Sequence, residues 1–259
     1  MARQWPARRS AGTVIKMARI PTETLDKLRK FDTPTICNLI ELFDVRPRDA
    51  GFMDDRIKAC FPEMPPIVGF AATATFRASL PPRRGDGYSS NEAYVERFGE
   101  LSGPAIVVFQ DLDSPPVAAT FGEIMCTIYK TFGAQGLITS GAGRDLDQVR
   151  KIGFPVFTSG TICSHGYVHI PQIYVPVHVG GIAIYPNDLL HADCNGVTTV
   201  PVEIAREVSD IGDEFVEAEA VILNALRESG PSLDVLRAAR AESQHRIQQL
   251  RQRVSRTQK

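Results

Sequence analysis

At 259 residues, 43% hydrophobic and 23% charged, the chain is long enough to bury one substantial core without dividing. A formal net charge of -1 gives no electrostatic footprint for nucleic acid, and no apolar run approaches the length of a membrane span. The five cysteines are scattered, odd in number and free of Cys-x-x-Cys spacing, which argues against a disulfide framework or zinc site and for a reducing, cytoplasmic setting.

Residues 1–20 read as a flexible basic arm, with Arg3, Arg8, Arg9, Lys16 and Arg19 unrelieved by any acid. Periodic sequence begins at Pro21. Thr22 or Thr24 can cap a first helix through Lys30, and Asp32 or Thr33 a second that carries Ile36, Leu39, Ile40 and Leu42. Residues 68–76 read as a strand, 81–90 as an exposed loop with Arg83 and Arg84, 91–101 as a helix, and 105–110 as a buried strand.

The most informative stretch follows, residues 122–145. Glu123, Ile124, Met125, Ile128 and Phe132 recur at helical spacing, Gly133 is a stop signal, and 136–139 reads as a strand. Ser140, Gly141, Ala142 and Gly143 then read as a tight turn that brings backbone close to a ligand. Arg144 and Asp145 stand at its exit. Twenty residues separate Glu123 from Arg144, so in a sheet-plus-helix unit Glu123 and Asp145 can meet at one sheet edge. A carboxylate pair beside an arginine suits a hard divalent metal and a small anionic substrate.

Beyond this unit, 175–200 reads as short strands separated by turns at Gly180-Gly181, Asn187-Asp188 and Asn195-Gly196. Residues 202–228 place Ile204, Val208, Ile211, Phe215, Ala218, Ile222 and Leu226 on one stripe of a long helix that needs a partner surface. Gly230-Pro231 breaks that pattern. Residues 231–259 read as a charged helical tail, leaving 21–230 as the main domain.

The segment from Gly122 through Phe157 resembles the signature of the RraA-like family, which includes the metal-dependent 4-hydroxy-4-methyl-2-oxoglutarate aldolases and the regulator of ribonuclease activity, and whose sequences often carry a demethylmenaquinone methyltransferase label. The pattern is an acid, twenty positions, Arg-Asp, two positions and an acid. Residues 31–38 resemble the family's first helix entrance, and 180–197 its closing strand pair, so the likeness covers roughly residues 22–228. The last acidic position holds Gln148, with Asp147 one residue early, which puts any contact made there in doubt.

The resemblance implies a single α/β domain of the swivelling β/β/α type, with a mixed sheet core, N-terminal helices and a long C-terminal helix. It implies a trimer or hexamer in which that helix reaches the neighbouring subunit's site. It also implies magnesium or manganese: Asp145 as direct ligand, Glu123 orienting water and transferring a proton, and Glu219 from the adjacent subunit as an outer acid, with Glu214 and Glu217 nearby. Arg144 would hold the keto oxygen or enolate of a 2-oxo acid, and Gly122 with the amides of Ile124 and Met125 its carboxylate. The activity so implied is cleavage of a 4-hydroxy-2-oxo acid to pyruvate, or decarboxylation of oxaloacetate; the other class is a regulator that inhibits a protein partner.

Other chemistries fit less well. His165 and His169 are four apart but lack a third ligand, and His191 reads as a satisfied buried imidazole. Lys130 and Lys151 flank helix patterns where an exposed charge is the default, against Schiff-base catalysis. Ser140 lacks a Gly-x-Ser-x-Gly elbow, and Gly141-Ala142-Gly143 is no nucleotide fingerprint, so no nucleotide cofactor is expected.

Overall fold

The computed structural model describes residues 20–82, 89–230 and 232–256. Residues 1–19, read as the basic arm, residues 83–88, which include Arg83 and Arg84 of the expected loop, Pro231 and residues 257–259 lie outside them. Helices α1 (Thr22–Leu28) and α2 (Thr33–Glu41) lead into β1 (Lys58–Ala59) and the long β2 (Ile67–Arg77). Then come α3 (Ser89–Glu96), a 3-10 turn (Arg97–Glu100), β3 (Ala105–Asp111), β4 (Ala119–Phe121), α4 (Glu123–Thr131), β5 (Leu137–Thr139), β6 (Ala142–Gly143), α5 (Leu146–Lys151), β7 (Val156–Thr158) and β8 (Gly160–Thr161). The chain closes through β9 (His169–Ile173), β10 (Val177–Val179), β11 (Ile182–Ile184), β12 (Leu189–Asp193), β13 (Gly196–Thr199), α6 (Ala205–Ser229) and α7 (Leu233–Val254).

The main sheet runs β1-β7-β5-β3-β2-β12-β13, and β9 shares the outer edge of β2 with β12. Strands β2, β3, β5 and β7 are parallel, while β9, β12, β13 and β1 run against their neighbours. The apolar run of β3 is continuous because both faces are covered. Ala105, Val107 and Phe109 join the larger core under the helices, whereas Ile106 and Val108 join a second core with Met53, Val179 and Leu190. The domain is thus α/β of the swivelling β/β/α type, with N-terminal helices and a long C-terminal helix. No helix among the described residues is long and apolar enough to cross a membrane.

Local signals hold where neighbours a few residues away decide the structure. Asp32 caps α2 by accepting the Thr35 N–H at 2.8 Å. The cap expected of Thr22 or Thr24 is absent: Pro21 stands at the N-cap of α1, and Thr24 is buried, its N–H donating to the Pro21 carbonyl. The helix expected over 91–101 divides into α3 and the 3-10 turn.

At the far end, α6 buries Ile204, Val208, Ile211, Phe215 and Ala218 but leaves Leu223 exposed. Gly230, at φ 73, ends it, and Ser232 caps α7. The segment read as a tail folds back along α6. Leu250 and Val254 enter the main core, and Arg251, Arg253 and Arg256 pair with Asp44, Glu214 and Glu207.

His191 ties the two N-terminal helices to β12. It is 0% exposed; its Nε2 meets the Leu28 carbonyl at 3.2 Å and its Nδ1 the Thr33 Oγ1 at 2.9 Å. A carbonyl only accepts, so Nε2 carries the proton and Nδ1 accepts from the Thr33 hydroxyl. Asp193 completes the tie by accepting the Thr33 N–H at 2.9 Å. Burial pulls the His191 pKa down to about 4, which keeps the imidazole neutral. A depressed histidine stabilises the folded chain fully above its unfolded pKa, and that contribution, on the order of 3 kcal/mol, is lost as pH falls to about 4. Urea unfolding across this range should therefore show the parent's advantage over His191→Gln shrinking as the pH drops; a constant difference would contradict a neutral buried ring.

Candidate active site

Two short strands position the signature residues. β4 and β6 pair in parallel, Ala119 opposite Ala142 and Phe121 opposite Gly143, and β8 flanks β6. Since α4 begins just after β4 and α5 just after β6, their first turns are brought side by side. Close packing makes this possible: a Cβ on Gly143 would lie 2.1 Å from the Phe121 ring, and one on Gly141 would lie 2.4 Å from Thr120 and 2.7 Å from Asp111. The expected ligand-approach turn at 140–143 is therefore a bend at Ser140 and Gly141 followed by the two-residue β6, and its glycines admit neighbouring side chains rather than a ligand.

Asp145 sits at the N-cap of α5 with φ 55 and ψ 37, a left-handed conformation that aspartate tolerates better than most residues. Its side chain does not cap its own helix. Instead Oδ2 accepts the Glu123 N–H at 3.1 Å, capping α4 from twenty-two residues away. Arg144 Nε lies 3.7 Å from the same oxygen. Gly122 leaves the room, since a Cβ there would sit 2.6 Å from Asp145 Oδ2 and 3.1 Å from Arg144 Nε. Gly122 offers no side-chain cap, and the N–H groups of Ile124 and Met125 have no acceptor among the described residues. The start of α4 thus presents two free donors and the positive end of its dipole beside a guanidinium.

The side chains of Arg144 and Asp145 are 30% and 35% exposed, open to a ligand yet held. Asp145 Oδ1 has no donor, and the Glu123 side chain is exposed and unpaired among the described residues. No group of three or more His, Cys, Asp or Glu gathers there or elsewhere among those residues. One or two carboxylates with open positions fit a magnesium-class ion that keeps its waters, and do not fit a zinc cage.

The remaining candidates are dispersed. Asp147 and Gln148 are exposed on α5. Glu219 lines a cavity of about 710 Å³ between α2, α6 and α7, its pKa raised by burial and then by Asp32. α6 packs on α1, α2 and α7, so Glu219 is not brought to Asp145 within one chain. Glu214 is paired with Arg253, and Glu217 is solvated. His165 and His169 are each engaged locally by a backbone carbonyl. Lys130 donates to the Ile152 and Gly153 carbonyls at the end of α5, Lys151 is exposed, and Ser140 accepts the Asp111 N–H at 2.9 Å. Sequence reasoning missed Asp111 itself. The only signal was an acid closing the apolar run of β3.

A family model described as RraA-like, aldolase/RraA, matches residues 33–199. A putative 4-hydroxy-4-methyl-2-oxoglutarate aldolase of Halalkalibacterium halodurans is 34% identical over 112 residues, 43% of this chain and 53% of that protein. An uncharacterized protein of Methanocaldococcus jannaschii is 27% identical over 119 residues, 46% of this chain and 57% of its own. The chain thus spans about half the length of these curated relatives. Among solved structures, an uncharacterized protein from Pseudomonas syringae pv. tomato superposes with TM-score 0.67 at 22% identity, over 90% of this chain and 99% of that one. A Streptomyces coelicolor protein described as an unusual member of the RNase ES inhibitor RraA family superposes with TM-score 0.62 at 24% identity, over 78% and 97% of the two chains.

The Gly122 contact is directly testable. Gly122→Ala puts a methyl group against the Asp145 carboxylate, and since the backbone at Gly122 is extended, alanine adds no conformational strain. Because the displaced oxygen is the one that caps α4, the melting temperature should fall; an unchanged melting temperature would mean that the cap is not made in this pose.

Proposed function

The chain belongs to the RraA-like family, and from that premise we propose that it is a divalent-metal-dependent carbon-carbon lyase acting on a small 2-oxo acid. The observation that carries this reading is the convergence of Asp145, Arg144 and two unpaired N–H groups at the start of α4. A regulator that only binds a protein has no need of that constellation.

The substrate carboxylate docks on the Ile124 and Met125 amides, where the helix dipole favours an anion. Arg144 faces the keto oxygen and, through its fixed planar charge, stabilises the negative charge that develops there. Asp145 would hold a magnesium or manganese ion directly, with Glu123 as an outer acid, and the ion when bound would supply Lewis-acid polarisation of the keto group. In a 4-hydroxy-2-oxo acid, Glu123 accepts the C4 hydroxyl proton through a water. The C4 carbon becomes a carbonyl, the C3–C4 electron pair passes into the enolate of pyruvate, and the proton returns to C3. With oxaloacetate no base is needed: the C3–C4 electron pair passes into the enolate as carbon dioxide departs, and C3 takes its proton from water beside Glu123. No nucleotide takes part.

We assign the active assembly to a trimer or hexamer, in which Glu219 of the partner subunit joins this site. Val216 and Leu223, exposed on the outer face of α6, favour burial against another copy. Light scattering should find a trimer or hexamer, and Glu219→Gln should lower turnover without altering the melting temperature. A stable, active monomer would remove Glu219 from the site.

Pyruvate release from oxaloacetate should vanish with chelator and return with magnesium or manganese. Asp145→Asn, which keeps the left-handed backbone and the capping acceptor, should lose metal affinity and turnover together. Arg144→Lys should cost on the order of 10²-fold in kcat, the typical loss of one oxyanion donor, and Glu123→Gln should retain metal with intermediate turnover. Full activity in chelator would sink the metal mechanism; no turnover of any 2-oxo acid would leave the partner-inhibiting regulator.

A further inference from the structure

Helices α4 and α5 are joined at both ends, and the two joints have the same spacing. At the start, Asp145 accepts the Glu123 N–H; at the far end, the Lys130 ammonium donates to the Ile152 carbonyl and, at 3.2 Å, to the Gly153 carbonyl. Glu123 to Asp145 and Lys130 to Ile152 are each separations of 22 residues. Lys130 follows Glu123 by seven residues, as Ile152 follows Asp145, and seven residues of helix span about 10.5 Å, or two turns. The equal offset at both ends means that the two helices run parallel and in register. Between the joints, Cys126 of α4 and Val149 of α5 are buried in the same core.

α5 has little of its own to fix its direction. It is six residues long, starts at Asp145 without a side-chain cap of its own, and ends before Gly153 at φ 63. A helix this short is not stable alone, so contacts with its neighbours orient it. The last carbonyls of a helix have no partner within it and carry the negative end of its dipole. Lys130 supplies a charge of opposite sign and donors to two of these carbonyls, and because it also lies in the last turn of α4 it offsets both negative ends where the parallel helices bring them together. The cations in the last turn of α5 itself are not used this way: Arg150 pairs with Glu63 at 3.1 Å, and Lys151 is exposed without a partner among the described residues.

We propose that Lys130 is a positioning residue for the Arg144–Asp145 site. By gripping the far end of α5 it keeps that helix parallel to α4, and so keeps the Asp145 carboxylate against the Glu123 N–H and the Arg144 guanidinium beside the free amides of Ile124 and Met125. Its ammonium lies two turns from the site and touches no substrate. The geometric role stands on the contacts alone, and its consequence for turnover rests on the lyase reading. Under that reading the substrate carboxylate docks on α4, whereas Arg144 and Asp145 lead into α5. A tilt of α5 therefore weakens the stabilisation of developing charge and leaves docking alone, which lowers kcat and spares KM.

Two measurements on the full chain test this, with Lys130→Met, Lys130→Arg and Lys151→Met. The first is residue-resolved amide hydrogen exchange without metal or substrate, read at Glu123, whose N–H is held by Asp145. Lys130→Met should speed that exchange by about two- to fivefold, the fold-change that one cation at a helix C-terminus is worth. Lys130→Arg, which keeps the charge and the donors, should restore the parent rate, and Lys151→Met should leave it unchanged. The second is turnover of oxaloacetate with magnesium, in which Lys130→Met should lower kcat by about tenfold and hold KM within about twofold, again with rescue by arginine. An unchanged Glu123 exchange rate in Lys130→Met, or an equal acceleration in Lys151→Met, would reduce Lys130 to a surface cation and overturn the proposal, as would an unchanged kcat or a loss confined to KM. If the parent turns over no 2-oxo acid, the lyase reading falls, while the exchange comparison still decides whether Lys130 sets the geometry of the cap.

Discussion

The parallel pairing of β4 with β6 is the constraint on which the candidate site rests. Neither strand exceeds three residues, and their pairing depends on Gly143 admitting the Phe121 ring and Gly141 admitting Asp111 and Thr120. With that register set, two helices start side by side, and residues twenty-two positions apart exchange a hydrogen bond. A side chain on either glycine would separate the strands, and with them Glu123 from Asp145.

Electrostatics then makes the arrangement useful. Asp145 occupies a left-handed conformation costing roughly 1–2 kcal/mol for a non-glycine residue, while a hydrogen bond to a charged group is worth roughly 1.5–3 kcal/mol before solvent screening. The cap on α4 is therefore enough to hold the strained residue in place. Only one carboxylate oxygen is used this way, which leaves the other, together with the amides of Ile124 and Met125, for a ligand.

Away from that edge, two buried titratable groups act on stability in opposite directions. His191 has a depressed pKa, so its contribution is lost as pH falls from about 6.5 to about 4. Asp111 has a raised pKa, so protonation favours the folded chain and that contribution is lost as pH rises from 3.8 through about 6. Over the shared interval the two offset each other. His191 has satisfied both ring nitrogens and is structural, whereas one Asp111 oxygen is buried against Gly141 without a partner.

The sequence by itself determined the elements whose reasons are local. The helix at Glu123–Thr131 lies between glycines at 122 and 133, the β3 strand follows its apolar run, and α6 follows a three-four stripe ended by Gly230. It also determined the signature spacing, because one helix, one strand and their loops consume a fixed length of chain. Tertiary structure alone decided that Asp145 caps α4 instead of its own helix, that the glycines at 141 and 143 serve packing, that α7 turns back along α6, and that Asp111 is left with an unpaired oxygen. Periodicity and capping preferences are set within about four residues of chain. Each of these four outcomes depends on a contact between segments much farther apart, or on the lack of one, which no local window records.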